Sequence, residues 1–188
     1  MENRFANRVL RAVLTGMLVI AVLGAGPANA DSPSAIPGKR PLDADGRMRV
    51  SEGDRCPVCA MEVIRHPKFA SAIALKDGRT FYFCGTGCMI RTWLHPEVFL
   101  GVPPEALDRP IVHDYFTGRE VDARRVIWVA GSDVVGPMGP ALVPIAEDSH
   151  VEAFQRRHGG DRTFRLDELD DAAWTEITGK PAVPEKQP

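Results

Sequence analysis

From about residue 50 the chain alternates short apolar runs with turn formers. Phe69 to Leu75 (FASAIAL) alternates large and small residues and predicts a strand. Lys76-Asp77-Gly78 follows, and an Asp-Gly pair suits a hairpin because both residues tolerate positive φ. Arg79 to Phe83 (RTFYF) is the returning strand. Gly85 to His95 predicts a helix whose apolar stripe is Met89, Ile90, Trp93 and Leu94, with Pro96 ending it. Ile111 to Phe116 (IVHDYF) predicts a third strand, with its polar residues toward solvent and Thr117-Gly118 closing it.

The same order recurs from Arg125. RVIWVAG predicts a strand, a glycine-rich connection follows, and Ala141 to Ala146 (ALVPIA) returns, with Pro144 marking an edge. A helix over residues 150–158, capped by Asp148 or Ser149, turns Val151, Phe154 and Gln155 inward. Gly159-Gly160 stops it, and Arg162 to Leu166 is the last strand. Each half reads as β-β-α-β, so the expected class is α+β, with two related units packed together. Each half is too small to bury a sufficient core alone, which calls for a shared interface. The expected segments are a signal peptide (1–30), a flexible lead-in (31–49), a first unit (50–118), a second unit (119–178) and a disordered tail (179–188).

Composition narrows the function classes. The 188 residues are 44% hydrophobic and 26% charged, which is ordinary for a globular protein. The formal net charge of −2 gives no nucleic-acid footprint. Arg4, Arg8 and Arg11, the apolar run Leu14 to Ala25 and the small-residue site Ala28-Asn29-Ala30 read as an export signal cleaved after Ala30. That places the chain in an oxidising compartment. No cysteine stands at the cleavage site, so no lipid anchor is visible. No Ser/His/Asp set or phosphate-binding glycine loop appears, so an enzyme is not expected.

The chemistry lies in sulfur. Cys56-Pro57-Val58-Cys59-Ala60-Met61 is a C-x-x-C that continues as C-x-M. Cys84-Gly85-Thr86-Gly87-Cys88 sits at a strand-to-helix junction, and Met138 stands between Gly136-Pro137 and Gly139. Four readings compete. Two disulfides suit an exported chain. A closed tetrahedral zinc site suits the two tight pairs, as in a structural or docking module. Thiol–disulfide exchange at Cys56-x-x-Cys59 fits poorly, because the approach is polar where a buried strand is expected. Cu(I) accounts for the methionines as well, since thioethers are poor zinc ligands and good ones for a soft monovalent ion. An extended C-x-M would turn Cys59 and Met61 to one face. Met89 lies on the apolar helical stripe and is read as core.

These motifs resemble the NosL family of periplasmic copper chaperones, which serve nitrous oxide reductase maturation. The resemblance runs over about residues 54–169, through DRCPVCAM (54–61), FYFC (81–84), VHD (112–114), VDARRVIWVAGS (121–132), GPMG (136–139) and EAFQRRHGGDRTFRLDEL (152–169). The first half is also similar to the metal-binding modules called YHS or TRASH domains. The resemblance implies two related β-β-α-β units and Cu(I) held by Cys59, Met61 and Met138 with Cys56 nearby. It implies a copper-recipient enzyme or assembly factor as partner. Cys84 and Cys88 form a second pair, as added ligands or a staple, and Cys88 is not typical of the family. Ala60 stands where the family has glycine, a change that matters only where the backbone needs positive φ.

Overall fold

The computed structural model describes residues 40–184. The expected signal segment, the start of the lead-in and the end of the tail lie outside the described residues.

Among the described residues, nine strands and four α-helices are built around one plan used twice. In the first repeat, β1 (Ser71–Leu75) and β2 (Thr80–Phe83) form the expected hairpin. Helix α1 (Thr86–Leu94) and β3 (Leu107–His113) follow, and β3 pairs with the other edge of β1. In the second, β5 (Ile127–Ser132) pairs with β8 (Val143–Ile145) and, after α3 (Val151–His158), with β9 (Gly159–Phe164). All these pairings are antiparallel. The sheet orders β2-β1-β3-β4 and β8-β5-β9 place the first strand of each repeat between the other two, with the short β4 (Glu120–Asp122) added to the first sheet. The α+β class with two related β-β-α-β units is the architecture observed, and Pro144 sits on an edge strand as expected.

Every residue of β1 and β2 is buried, so apolar groups cover both faces of the first sheet. One buried cluster joins the repeats. It holds Ile73, Phe83, Met89 and Ile90 of the first repeat with Trp128, Leu142 and Phe164 of the second, and Trp174 beyond it. Met89 is fully buried, as its place on the stripe predicted.

Several local expectations change. Pro96 does not end the helical run but opens a short second helix, α2 (Pro96–Phe99), because proline's fixed φ suits a first helical turn. The glycine-rich connection holds a tight hairpin, β6 (Val135–Gly136) with β7 (Gly139–Pro140), which presents Met138 at its tip. Asp148 and Ser149 do not cap α3. They form a 3-10 turn that feeds into it, and His150 at the N-cap makes no side-chain cap bond. Gly159 does stop α3, with φ of 70°. Gly160 continues straight into β9 at φ +101°, where a Cβ would lie 2.4 Å from Val129.

A fourth helix, α4 (Asp171–Thr178), follows the second repeat; Asp170 caps it through the Ala173 N–H, and Gly179 ends it in the left-handed region. The stretch from Pro41 to Arg49, read from composition as flexible, is tied down. The Arg49 N–H donates to the Tyr82 hydroxyl at 3.1 Å, that hydroxyl donates to the Pro41 carbonyl, and the Met48 N–H donates to Glu120. Ala182, placed in the tail, is buried, and its carbonyl accepts from the Arg91 guanidinium.

Asp114 departs most from its expected place. Read as facing solvent, it is 2% exposed. One carboxylate oxygen accepts the Ala146 N–H of the second repeat at 2.8 Å, and the other accepts the N–H and hydroxyl of Thr117. Burial acts to raise its pKa. The hydrogen bonds from the Thr117 hydroxyl and from the Ala146 and Thr117 N–H groups outweigh burial, with help from nearby His150, and hold the carboxyl below its usual range.

Asp114→Ala therefore lowers the unfolding free energy at neutral pH by about 2–3 kcal/mol. The native pKa is the depressed one, so this stabilisation is complete above the unfolded carboxylate value of about 3.9 and is lost as pH falls through the lower native value. Urea unfolding of both proteins across the acid range checks it. The expected result is a gap that is constant near neutrality and closes in acid.

Candidate metal centre

Two elements bring the sulfurs together. Residues 55–62 form a tight knuckle. Arg55 and Glu62 pair across its base, both as a backbone bridge and as an ion pair at 2.8 Å. The Cys56 N–H donates to the Met61 carbonyl at 2.9 Å, and the Ala60 N–H donates back to the Cys56 carbonyl at 2.8 Å. The return requires a left-handed residue, and Ala60 supplies it at φ 61°, alone among the described non-glycine residues. The segment is therefore not extended, and the alternation argument that put Cys59 and Met61 on one face does not apply.

The second element is the junction of β2 and α1. Cys84 follows the last residue of β2, Gly85 is the helix N-cap, and Cys88 lies in the first turn. A Cβ on Gly85 would meet the Pro137 ring at 3.3 Å, so the β6–β7 hairpin leans directly on this junction. The Thr86 hydroxyl donates to the Leu142 carbonyl at 2.7 Å and ties the helix start to the second repeat. The Trp174 ring of α4 lies against Gly87, between the two cysteines in sequence.

The four sulfurs lie within 4.8 Å of one another. Cys59 and Cys84 approach to 3.4 Å, and Cys84 and Cys88 to 4.0 Å. Four thiolates at about 2.3 Å from a common ion stand about 3.8 Å apart, so the cluster already has the spacing of a single-ion cage. Cys56, Cys84 and Cys88 are buried, Cys59 is half-buried, and all four are free thiols.

Hydrogen bonds from Cys84 and then Cys88 pull the Cys56 thiol far below its ordinary value. That thiolate in turn pushes Cys84 and Cys88 up, with burial adding to the effect. One negative charge shared among hydrogen-bonded thiols is what a small buried space tolerates. Further ionisation requires a cation in place of the protons, which is the electrostatic demand of a soft-metal site.

The six sulfurs singled out in the sequence separate into two groups. The structure gathers Cys56, Cys59, Cys84 and Cys88. Met61 is half-buried on the knuckle and packs against the same core. Met138 is 56% exposed at its hairpin tip, outside the buried cluster and next to the proline that leans on Gly85. Sequence reasoning missed Trp174 and the helix that carries it. The signal was present in the N-cap Asp170 and the terminating Gly179.

Ala60→Gly tests the strain in the knuckle. Relief of the left-handed conformation, worth about 1–2 kcal/mol for a residue with a Cβ, exceeds the added freedom of an unfolded glycine. The unfolding free energy should rise by about 0.5–1 kcal/mol, read by urea unfolding of the reduced protein.

Comparison with known proteins identifies the family. The family model described as NosL matches residues 47–174. A curated relative, the copper-binding lipoprotein NosL of Stutzerimonas stutzeri, is 32% identical over an alignment of 130 residues, and the match covers 64% of this chain. The match spans 64% of that relative's length. The crystal structure of the copper chaperone NosL from Shewanella denitrificans superposes with a TM-score of 0.58 at 23% identity, over 66% of this chain and 96% of that one. At that identity the likeness speaks for the fold.

Proposed function

The chain belongs to the NosL family, and from that premise we propose that it is a Cu(I)-binding metallochaperone of the periplasm, which carries copper to nitrous oxide reductase or a related cuproenzyme and performs no catalysis. Copper is its cargo. Export by the segment cleaved after Ala30 belongs to the same reading.

One observation carries the proposal: four cysteine sulfurs converge within 4.8 Å, and one of them, Cys59, is open toward solvent. Thiolates are the donors that a soft monovalent ion prefers. A carrier must also release what it holds, which favours a site with one accessible edge. Cys59 is the ligand at that edge. Met61 and Met138 add thioethers, which retain Cu(I) without demanding further deprotonation. An exposed Met138 suits a ligand that meets the ion on entry or departure better than it suits packing.

Zinc is the competing cargo, because four thiolates at tetrahedral spacing also suit it. The two readings differ in the methionines, which have work to do only with copper.

Anaerobic titration of the reduced protein with Cu(I) against a Cu(I) chelator, and separately with zinc, tests the proposal. Wild type should hold Cu(I) far more tightly than zinc; tight zinc with no copper would establish the structural module instead. Cys59→Ser should weaken Cu(I) by more than the roughly 100-fold that loss of a supporting hydrogen bond costs a metal site. Its fold should survive, since Cys59 is the least buried of the four. Affinity should fall with decreasing pH, because Cys84 and Cys88 hold their protons tightly and each proton displaced per ion weakens binding about tenfold per pH unit.

Met138→Leu separates chemistry from packing. The two side chains are close in volume, so stability should change by less than about 1.5 kcal/mol. Cu(I) should nevertheless bind more weakly, since leucine offers no lone pair. Equal affinities for the two proteins at two pH values would leave a cysteine-only site.

A further inference from the structure

The cage contains a pair of thiols arranged to oxidise one another. Cys59 Sγ lies 3.4 Å from Cys84 Sγ, inside a cluster whose four sulfurs are within 4.8 Å of one another. A disulfide needs its sulfurs about 2.05 Å apart, and the remaining gap is small enough for side-chain torsions to close. The Cys84–Cys88 pair is wider, at 4.0 Å, and both its members are buried. Exposure is just as unequal. Cys59 is the one thiol of the four that is not buried, so an external oxidant meets it first.

We propose that Cys59 and Cys84 form a redox latch on the empty cage, closed by exchange with an external disulfide and opened by reduction. In the first step the Cys59 thiolate attacks one sulfur of the oxidant. The oxidant's S–S bond breaks, one thiolate leaves, and a mixed disulfide stands on Cys59. In the second step Cys84 gives up its proton as its sulfur attacks Cys59 Sγ, the mixed bond breaks and the second thiolate leaves. The two cysteines lose two electrons and the oxidant gains them; the two protons shed by the cysteines pass to the two released thiolates, which leave as thiols. The oxidant's bulk stays on the solvent side throughout, because the buried Cys84 has only to reach its neighbour.

The consequence for metal rests on the metal-binding reading above. Closure removes two of four thiolate donors, including the one open to solvent, and leaves Cys56 and Cys88 buried behind it. A bound ion does the reverse. It engages the lone pairs of Cys59 and Cys84, so the loaded cage has no free nucleophile to offer. Loading and latching therefore exclude each other, and in an oxidising compartment the empty carrier becomes unable to take up metal until a thiol reductant reopens it.

The test uses the full chain, reduced and metal-free under anaerobic conditions, and exposes it to oxidised glutathione. The reaction is quenched in acid, the protein is unfolded and alkylated, and its peptides are mapped. The latch predicts loss of two of the four alkylatable thiols and a linked pair of peptides carrying Cys59 and Cys84. Cys59→Ser should keep its three remaining thiols under the same exposure. Four thiols still alkylatable in wild type, a lasting glutathione adduct on Cys59, or a link between any other pair would each overturn it.

A second arm repeats the exposure with the Cu(I)-loaded chain, which should retain all four thiols. Oxidation there at the rate of the empty chain would refute mutual exclusion. The first arm contains no metal, so it stands apart from the copper proposal. A link with no Cu(I) uptake by the reduced protein sinks the cargo, and Cu(I) uptake with no link sinks the latch.

Discussion

Three of the four clustered thiols are out of contact with water, and a small buried space cannot hold several thiolates without a cation. Hydrogen bonding to Cys84 and Cys88 pulls the Cys56 thiol down, and the same contacts push Cys84 and Cys88 up. The arrangement is compact and self-satisfied, yet it turns four soft donors toward one point. An ion that replaces the protons needs little rearrangement of the surrounding chain. That preorganisation is what the knuckle, the strand end and the helix start combine to produce.

The second repeat explains how the first stays in place. Both repeats have the same strand order, but the cysteines belong to the first alone. The second acts as a buttress at three points, two of them on the junction that carries Cys84 and Cys88. Leu142 accepts from Thr86 at the start of α1, Pro137 packs on Gly85, and Ala146 donates to Asp114 at the end of β3. Trp174 adds a fourth contact from the helix that follows the second repeat. A junction built from glycine and threonine has little side-chain mass of its own to hold it. Neighbours supply the rigidity, and they also place the hairpin carrying Met138 beside the metal centre.

The knuckle makes a different compromise. Its return at Ala60 requires a left-handed residue, and alanine meets that requirement at some cost in strain. Two backbone hydrogen bonds and the Arg55–Glu62 pair hold the turn regardless. This is the pattern expected where surrounding structure over-determines a conformation that the residue itself disfavours.

The local elements were legible because apolar spacing and turn residues act over a few positions. FASAIAL-KDG-RTFYF could be read as a hairpin, Met89 as core, Gly159 as a helix stop, and the α+β class from the repeated order. The family, too, could be read from short motifs in sequence order. Burial and partnership could not. Asp114 looked solvent-facing because its partner, Ala146, lies in the other repeat, and Pro41 to Arg49 looked flexible because Tyr82 and Glu120 are far along the chain. The cysteines in the sequence announced soft-metal or disulfide chemistry while leaving the pairing open. Only the folded chain could bring Cys59 within 3.4 Å of Cys84 and leave Met138 exposed at a hairpin tip. Composition dictates which donors exist; their distances, burial and shared charge arise from contacts between segments that no local pattern encodes.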